Sequence, residues 1–102
     1  MVASLLYLLR MNQQELIQKI KPILERHHII KAELFGSYAR GDETSESDVD
    51  ILVQLGKPMG FDYFGMADEI EEAVGKSVDV ITYKYVYPPL RPYIFAHTIR
   101  IL

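Results

Sequence analysis

The sequence contains no cysteine, so neither a disulfide framework nor a thiolate metal site is available, and any metal must be held by oxygen or imidazole ligands. That profile agrees with a cytoplasmic protein. A basic stripe is also missing: 11 basic and 14 acidic residues are scattered to a net charge of −3, whereas counterion release from a polynucleotide needs clustered cations. Direct DNA or RNA binding is therefore not expected. The apolar stretch Met1 to Leu9 is shorter than a membrane span and lacks the basic start and cleavage site of a signal peptide. With 6 Gly, 5 Pro, 49% hydrophobic and 25% charged residues, the composition excludes fibrous and disordered classes. A chain of 102 residues has room for one compact domain and none for a second, substrate-holding domain.

What is present begins with Asn12 and Glu15, a capping-box-like pair at the head of a helical pattern. Because Met11 stands just before that pair, residues 1–11 are expected to be an extension outside the fold and residues 12–102 a single domain. From Gln13 to His27, Leu16, Ile17, Ile20, Ile23 and Leu24 recur at helical spacing, which predicts an amphipathic helix. Pro22 removes one backbone donor within it and allows a kink or an early end.

Ile29 to Phe35 predicts a strand running straight into Gly36, with Ser37 to Arg40 forming a short helical turn that Gly41 stops. A polar loop from Asp42 to Ser47 leads to a buried strand, Val49 to Leu55. Phe61, Phe64, Ala67, Ile70 and Val74 then repeat at helical spacing up to Gly75, predicting a second amphipathic helix. Val78 to Tyr83 predicts a third strand, which Tyr85 and Tyr87 could prolong, and a short closing helix is expected to start near Pro89 or Pro92. The fold class implied is α/β (α+β), a small mixed β-sheet flanked by helices. A helix between the second and third strands suits a crossover that makes them parallel, with their starting ends side by side.

That topology concentrates the chemistry. Asp48 and Asp50 are separated by one residue at a strand start, so both carboxylates leave the same face of the sheet. Two anions aimed at one point are costly unless cations neutralise them, and hard oxygen ligands select magnesium or manganese. Parallel pairing would bring Asp79 beside Asp50 and complete a three-carboxylate cluster able to hold two ions, one activating an attacking hydroxyl and one clamping a triphosphate. At the end of the first strand, Gly36 and Ser37 open a short helix whose amides suit a phosphate, and antiparallel pairing would put this turn beside the carboxylates. Arg40 could neutralise phosphate charge or pair with the acidic loop.

The segments Gly36-Ser37-Tyr38-Ala39-Arg40-Gly41-Asp42 and Ser47-Asp48-Val49-Asp50-Ile51-Leu52-Val53 resemble the signature of the DNA polymerase beta superfamily, most closely its minimal nucleotidyltransferase branch. The resemblance implies the nucleotidyltransferase fold. It also implies that Ser37 contacts the outer phosphates of a nucleoside triphosphate, that Asp48 and Asp50 ligate both metals, and that Asp79 ligates the metal activating the acceptor. The chain is similar to the antitoxins paired with HEPN-domain ribonuclease toxins, which implies transfer of AMP from ATP to a toxin tyrosine.

Plainer readings stand beside these. A lone Asp-x-Asp is usually a polar loop entering a strand, and only its conjunction with Gly36-Ser37 and Asp79 lifts it above that. Gly36 to Gly41 has P-loop spacing, but Asp42 stands where the lysine belongs, which disfavours an ATPase. His27 and His28 read as helix-terminal residues complementing the dipole rather than as ligands. Glu43 and Glu46 read as solvated, and Ser47 as bonding nearby backbone. Tyr83, Tyr85 and Tyr87 would line one face of an extended strand, either packing or meeting a base or a second subunit. Two other functions compete: an antitoxin that neutralises by binding alone, and a small-molecule nucleotidyltransferase such as one acting on aminoglycosides.

Overall fold

The computed structural model describes residues 12–102, so the expected extension at 1–11 lies outside the described residues. Helix α1 (Gln13–Arg26) starts where Asn12 Oδ1 accepts from the Glu15 amide at 2.9 Å, a side-chain cap satisfying one of the donors a helix start leaves unpaired. Leu16, Ile20, Ile23 and Leu24 form its buried stripe. Pro22 does not end the helix, because a single forfeited bond on an exposed position is outweighed by the packed turns on both sides.

Strand β1 (Ile29–Phe35) runs into α2 (Gly36–Arg40), followed by β2 (Val49–Leu55), α3 (Asp62–Val74) and β3 (Val78–Thr82). Two 3-10 turns (Tyr83–Tyr85 and Pro88–Leu90), α4 (Arg91–Ile94) and β4 (Ile99–Arg100) complete the order. The four strands lie in the order β3-β2-β1-β4. β1 is antiparallel to β2 and to β4, and β2 is parallel to β3. The sheet is therefore mixed, with the α3 crossover linking its parallel pair as the sequence predicts.

Period-two alternation divides the sheet into unlike faces. Val49, Ile51 and Val53 face α1 and α3 and join Leu16, Ile20, Met66 and Ile70 in the main core. Leu52 and Phe35 belong to a smaller cluster on the opposite face, covered by Val86 and Ile94 of the C-terminal segment. No helix of the described residues is long and apolar enough to cross a membrane.

Two expectations are corrected, and one element was not anticipated. Phe61 and Phe64 are 91% and 65% exposed, while Met66 is buried with Ile70 and Val74, so the buried stripe of α3 is rotated from the aromatic one. Tyr85 and Tyr87 do not extend β3: a 3-10 turn follows Thr82 at once, and the tyrosines share no strand face. Strand β4 has no counterpart in the sequence pattern, since two residues carry no periodic signal. Its pairing with Glu33 and Leu34 of β1 is decided by tertiary contact.

Candidate active site

Every residue singled out for chemistry sits at one end of the sheet. Asp50 is in register with Phe35 of β1 on one side and with Asp79 of β3 on the other, so the β2 register alone sets two carboxylates side by side on adjacent parallel strands. Asp48 is exposed and precedes β2 by one residue. Its strand-end anchor is next to it, where the Val49 amide donates to the Ser77 carbonyl at 2.9 Å.

Asp50 is the electrostatic centre of the group. Burial, followed by the charges of Asp79 and Asp48, pushes its carboxyl up to about 6, with Arg40 pulling the other way. Desolvation and like charge both disfavour the ionised form, so the cluster resists holding its full negative charge without a cation. The donors are all carboxylate oxygens, the chemistry suited to magnesium or manganese rather than to a soft metal. Among the described residues, no three acidic, histidine or cysteine side chains already gather closely enough to grip an ion.

Gly36 has a sharper role than the sequence suggested. Its φ is +71°, and a Cβ built there would stand 2.2 Å from Asp50 Oδ2. The missing side chain therefore makes room for the Asp50 carboxylate itself, besides leaving the backbone open to a phosphate. Ser37 follows at the head of α2, and its carbonyl accepts from the amides of Gly41 at 2.9 Å and Asp42 at 3.2 Å, closing the turn. The Gln13 side-chain amide donates to the Tyr38 carbonyl at 2.6 Å, and Tyr38 is itself buried, so α2 is fixed to the helical layer.

Arg40 makes the pairing with the acidic loop that was expected of it. Its Nε donates to Asp42 Oδ2 at 3.2 Å, and its charge still reaches Asp50. In the loop, Ser47 Oγ accepts from the Thr44 amide at 2.9 Å, the local backbone bond expected of it. Glu46 is exposed as expected, but Glu43 is half-buried rather than solvated. His27 caps α1 and pairs with Glu69 of α3, Nε2 to Oε1 at 3.0 Å, with Arg26 joining the same carboxylate. The histidine thus ties two helices together, away from the carboxylates.

Lys76 escaped the sequence reading. Its Nζ donates to the Ser45 carbonyl at 3.2 Å and lies 5.9 Å from the Tyr38 ring centre, linking the loop before Asp48 to the turn before Asp79. A cation three residues ahead of an aspartate was the only signal, and a common one. Two hollows of about 520 and 640 Å³ lie at the other end of β2 and β3, around Leu55, Thr82 and Tyr85. Clustered anions cost free energy that packing does not return, and that cost is what singles out the carboxylate end as the candidate.

The polymerase beta nucleotidyltransferase family model matches residues 18–102. The chain belongs to that family. As a family member it is a nucleotidyltransferase, with the fold described above. A relative from Methanocaldococcus jannaschii, provisionally named a protein adenylyltransferase, is 41% identical over 93 residues, covering 90% of this chain and all of its own. A solved structure provisionally described as a minimal nucleotidyltransferase superposes with a TM-score of 0.72 at 26% identity, covering 88% of this chain and 96% of that one. A chain from the Shewanella oneidensis complex of a tri-AMPylated HEPN toxin with an MNT antitoxin superposes at 0.68 with 20% identity, covering 88% and 71%. That last likeness shows the shared nucleotidyltransferase fold.

Proposed function

We propose that this nucleotidyltransferase transfers AMP from ATP to a protein hydroxyl, a tyrosine of a HEPN-domain ribonuclease toxin, and so acts as the antitoxin of a pair. The observation that carries the reading is the registered pair Asp50 and Asp79 beside Gly36, whose absent side chain accommodates the Asp50 carboxylate. The naming of the Methanocaldococcus relative supports adenylyl transfer, and the Shewanella complex supports the toxin as acceptor.

In this reading Asp48, Asp50 and Asp79 hold two magnesium or manganese ions. When bound, such ions lower the pKa of an attacking hydroxyl and offset charge on a departing pyrophosphate. The chain's own residues supply the geometry. Gly36 and Ser37 seat the outer phosphates through backbone amides and the serine hydroxyl. Arg40, already sharing its charge between Asp42 and Asp50, offsets phosphate charge in the same turn. The acceptor phenol loses its proton as its oxygen bonds to the α-phosphorus, and the bond to pyrophosphate breaks in line.

Incubating the protein with α-labelled ATP, magnesium and a HEPN-domain toxin should label that toxin on tyrosine, and Asp48→Asn should reduce the label at least a hundredfold. An active toxin left unlabelled by folded wild-type protein would defeat the proposal. Equal neutralisation by Asp48→Ala/Asp50→Ala at the same concentration would instead favour inhibition by binding.

A further inference from the structure

Of the three carboxylates at this end of the sheet, two are held by the strand ladder and one is not. Asp50 and Asp79 are in register on β2 and β3, whereas Asp48 lies just before β2 begins. It ends a loop, residues 41–48, that carries Asp42, Glu43, Glu46 and Asp48 and no lysine or arginine. Like charge pushes such a loop away from Asp50 and Asp79, so its place depends on what ties it down. Part of its bonding is internal. The Thr44 amide donates to Ser47 Oγ at 2.9 Å, the Ser47 amide to the Thr44 carbonyl at 3.1 Å, and the Glu46 amide to Thr44 Oγ1 at 3.2 Å. Those bonds shape the turn without placing it on the rest of the molecule.

The connection between α3 and β3 meets this loop at two points. Lys76 Nζ donates to the Ser45 carbonyl at 3.2 Å, and the Val49 amide donates to the Ser77 carbonyl at 2.9 Å. The two bonds bracket Asp48 in the chain, and Asp79 follows Ser77 by two residues. The same ammonium stands 5.9 Å from the ring centre of Tyr38, next to Ser37 in α2, within range of cation–π attraction. Tyr38 is buried and its carbonyl accepts from the Gln13 side chain, so Lys76 bears on a fixed point. One half-buried cation thus joins the loop of Asp48, the turn before Asp79 and the short helix of Ser37.

We propose that Lys76 is a positioning residue, which holds the acidic loop against the sheet end and keeps Asp48 available to a divalent cation bound at Asp50 and Asp79. The inference rests on the metal-holding role given to these carboxylates in the proposed function and deepens it with a residue that acts through the loop. A lysine just past a helix C-terminus also complements the helix dipole, but that role affects stability alone.

The test compares the full chain as wild type, Lys76→Met and Lys76→Arg, since methionine removes the donor and the charge while arginine keeps both. Manganese binding is followed by electron paramagnetic resonance, amide hydrogen exchange at Thr44 to Ser47 by mass spectrometry, and AMP transfer with ATP and a HEPN-domain toxin. Lys76→Met should bind manganese about tenfold more weakly and lose about tenfold in kcat. Its Thr44 to Ser47 amides should exchange about tenfold faster. Its KM for ATP should stay within about twofold of wild type, because Gly36 and Ser37 seat the phosphates. Lys76→Arg should regain manganese affinity and kcat to within about threefold.

Manganese affinity and kcat both unchanged in Lys76→Met would overturn the proposal. An arginine variant that regains wild-type stability without regaining either would assign Lys76 to the helix end and overturn it as well. So would a lost kcat with manganese binding and amide exchange intact, which would place the ammonium on the nucleotide. Wild-type protein that binds manganese but transfers AMP to no acceptor would overturn the transferase reading, while the manganese and exchange results would still decide the role of Lys76.

Discussion

The two faces of the sheet are built on opposite principles. On the helical side, Val49, Ile51 and Val53 are fully buried against α1 and α3, and removing that apolar surface from water stabilises the fold. On the other side, the alternate position of the same strand holds Asp50 between Phe35 and Asp79, where burial and like charge work against the ionised group. One seven-residue strand thus contributes to stability through its odd positions and gives some of it up through an even one. The costly side is the one that the proposed function assigns to a substrate.

Three measurements would break or sharpen that contrast. Ile51→Ala removes a fully buried side chain and should cost about 3–4 kcal/mol in urea unfolding, while AMP transfer per folded molecule stays close to wild type. A large loss of specific activity in the folded fraction would show that the faces are not separable.

Gly36→Ala should destabilise by about 2 kcal/mol, from the left-handed backbone strain a Cβ brings and from displacement of the Asp50 carboxylate. Its effect on transfer should be much larger than its effect on folding. If transfer survives, Asp50 does not need the place that Gly36 leaves for it.

Asp50→Asn carries the smallest effect and the opposite sign. Without divalent cations, the folded carboxyl titrates near 6 against an ordinary value of 3.8, so the folded state binds its proton more tightly than the unfolded chain does. Wild-type stability should then fall as pH rises from about 4 to about 6 and stay low above that. At pH 7 the asparagine variant should be more stable by about 1–2 kcal/mol, a figure reduced for water screening a half-buried group. Magnesium should restore wild type and leave the variant nearly unmoved. A wild-type unfolding midpoint flat across that pH window would remove the cost assigned to Asp50.

Much of the architecture was legible. The helical stripe of Leu16, Ile20, Ile23 and Leu24, the two apolar runs of β1 and β2, and the stop at Gly75, which adopts φ +71°, all follow from local rules of spacing and capping. The side-by-side placement of Asp50 and Asp79 was legible one step further on, because a crossover helix implies parallel strands. Less legible was α3, where Phe61 and Phe64 looked like core but are exposed while Met66 is buried. Hydrophobicity alone does not say which of two overlapping stripes meets the sheet. The tyrosine run after Thr82 failed as a strand for a related reason: β propensity is expressed only where a neighbouring strand is available.

The sequence by itself determined the element types, the polar turn between β1 and β2, and the alternation that sends Asp50 and Ile51 to opposite faces, since these depend on residues near one another in the chain. Tertiary structure alone decided that Gly36 would make room for Asp50 Oδ2, that Lys76 would tie the loop before Asp48, and that β4 would close the sheet edge beside β1. Those contacts join residues far apart in sequence. Their energies depend on distances that no local pattern encodes, and only the packed core brings the partners within reach.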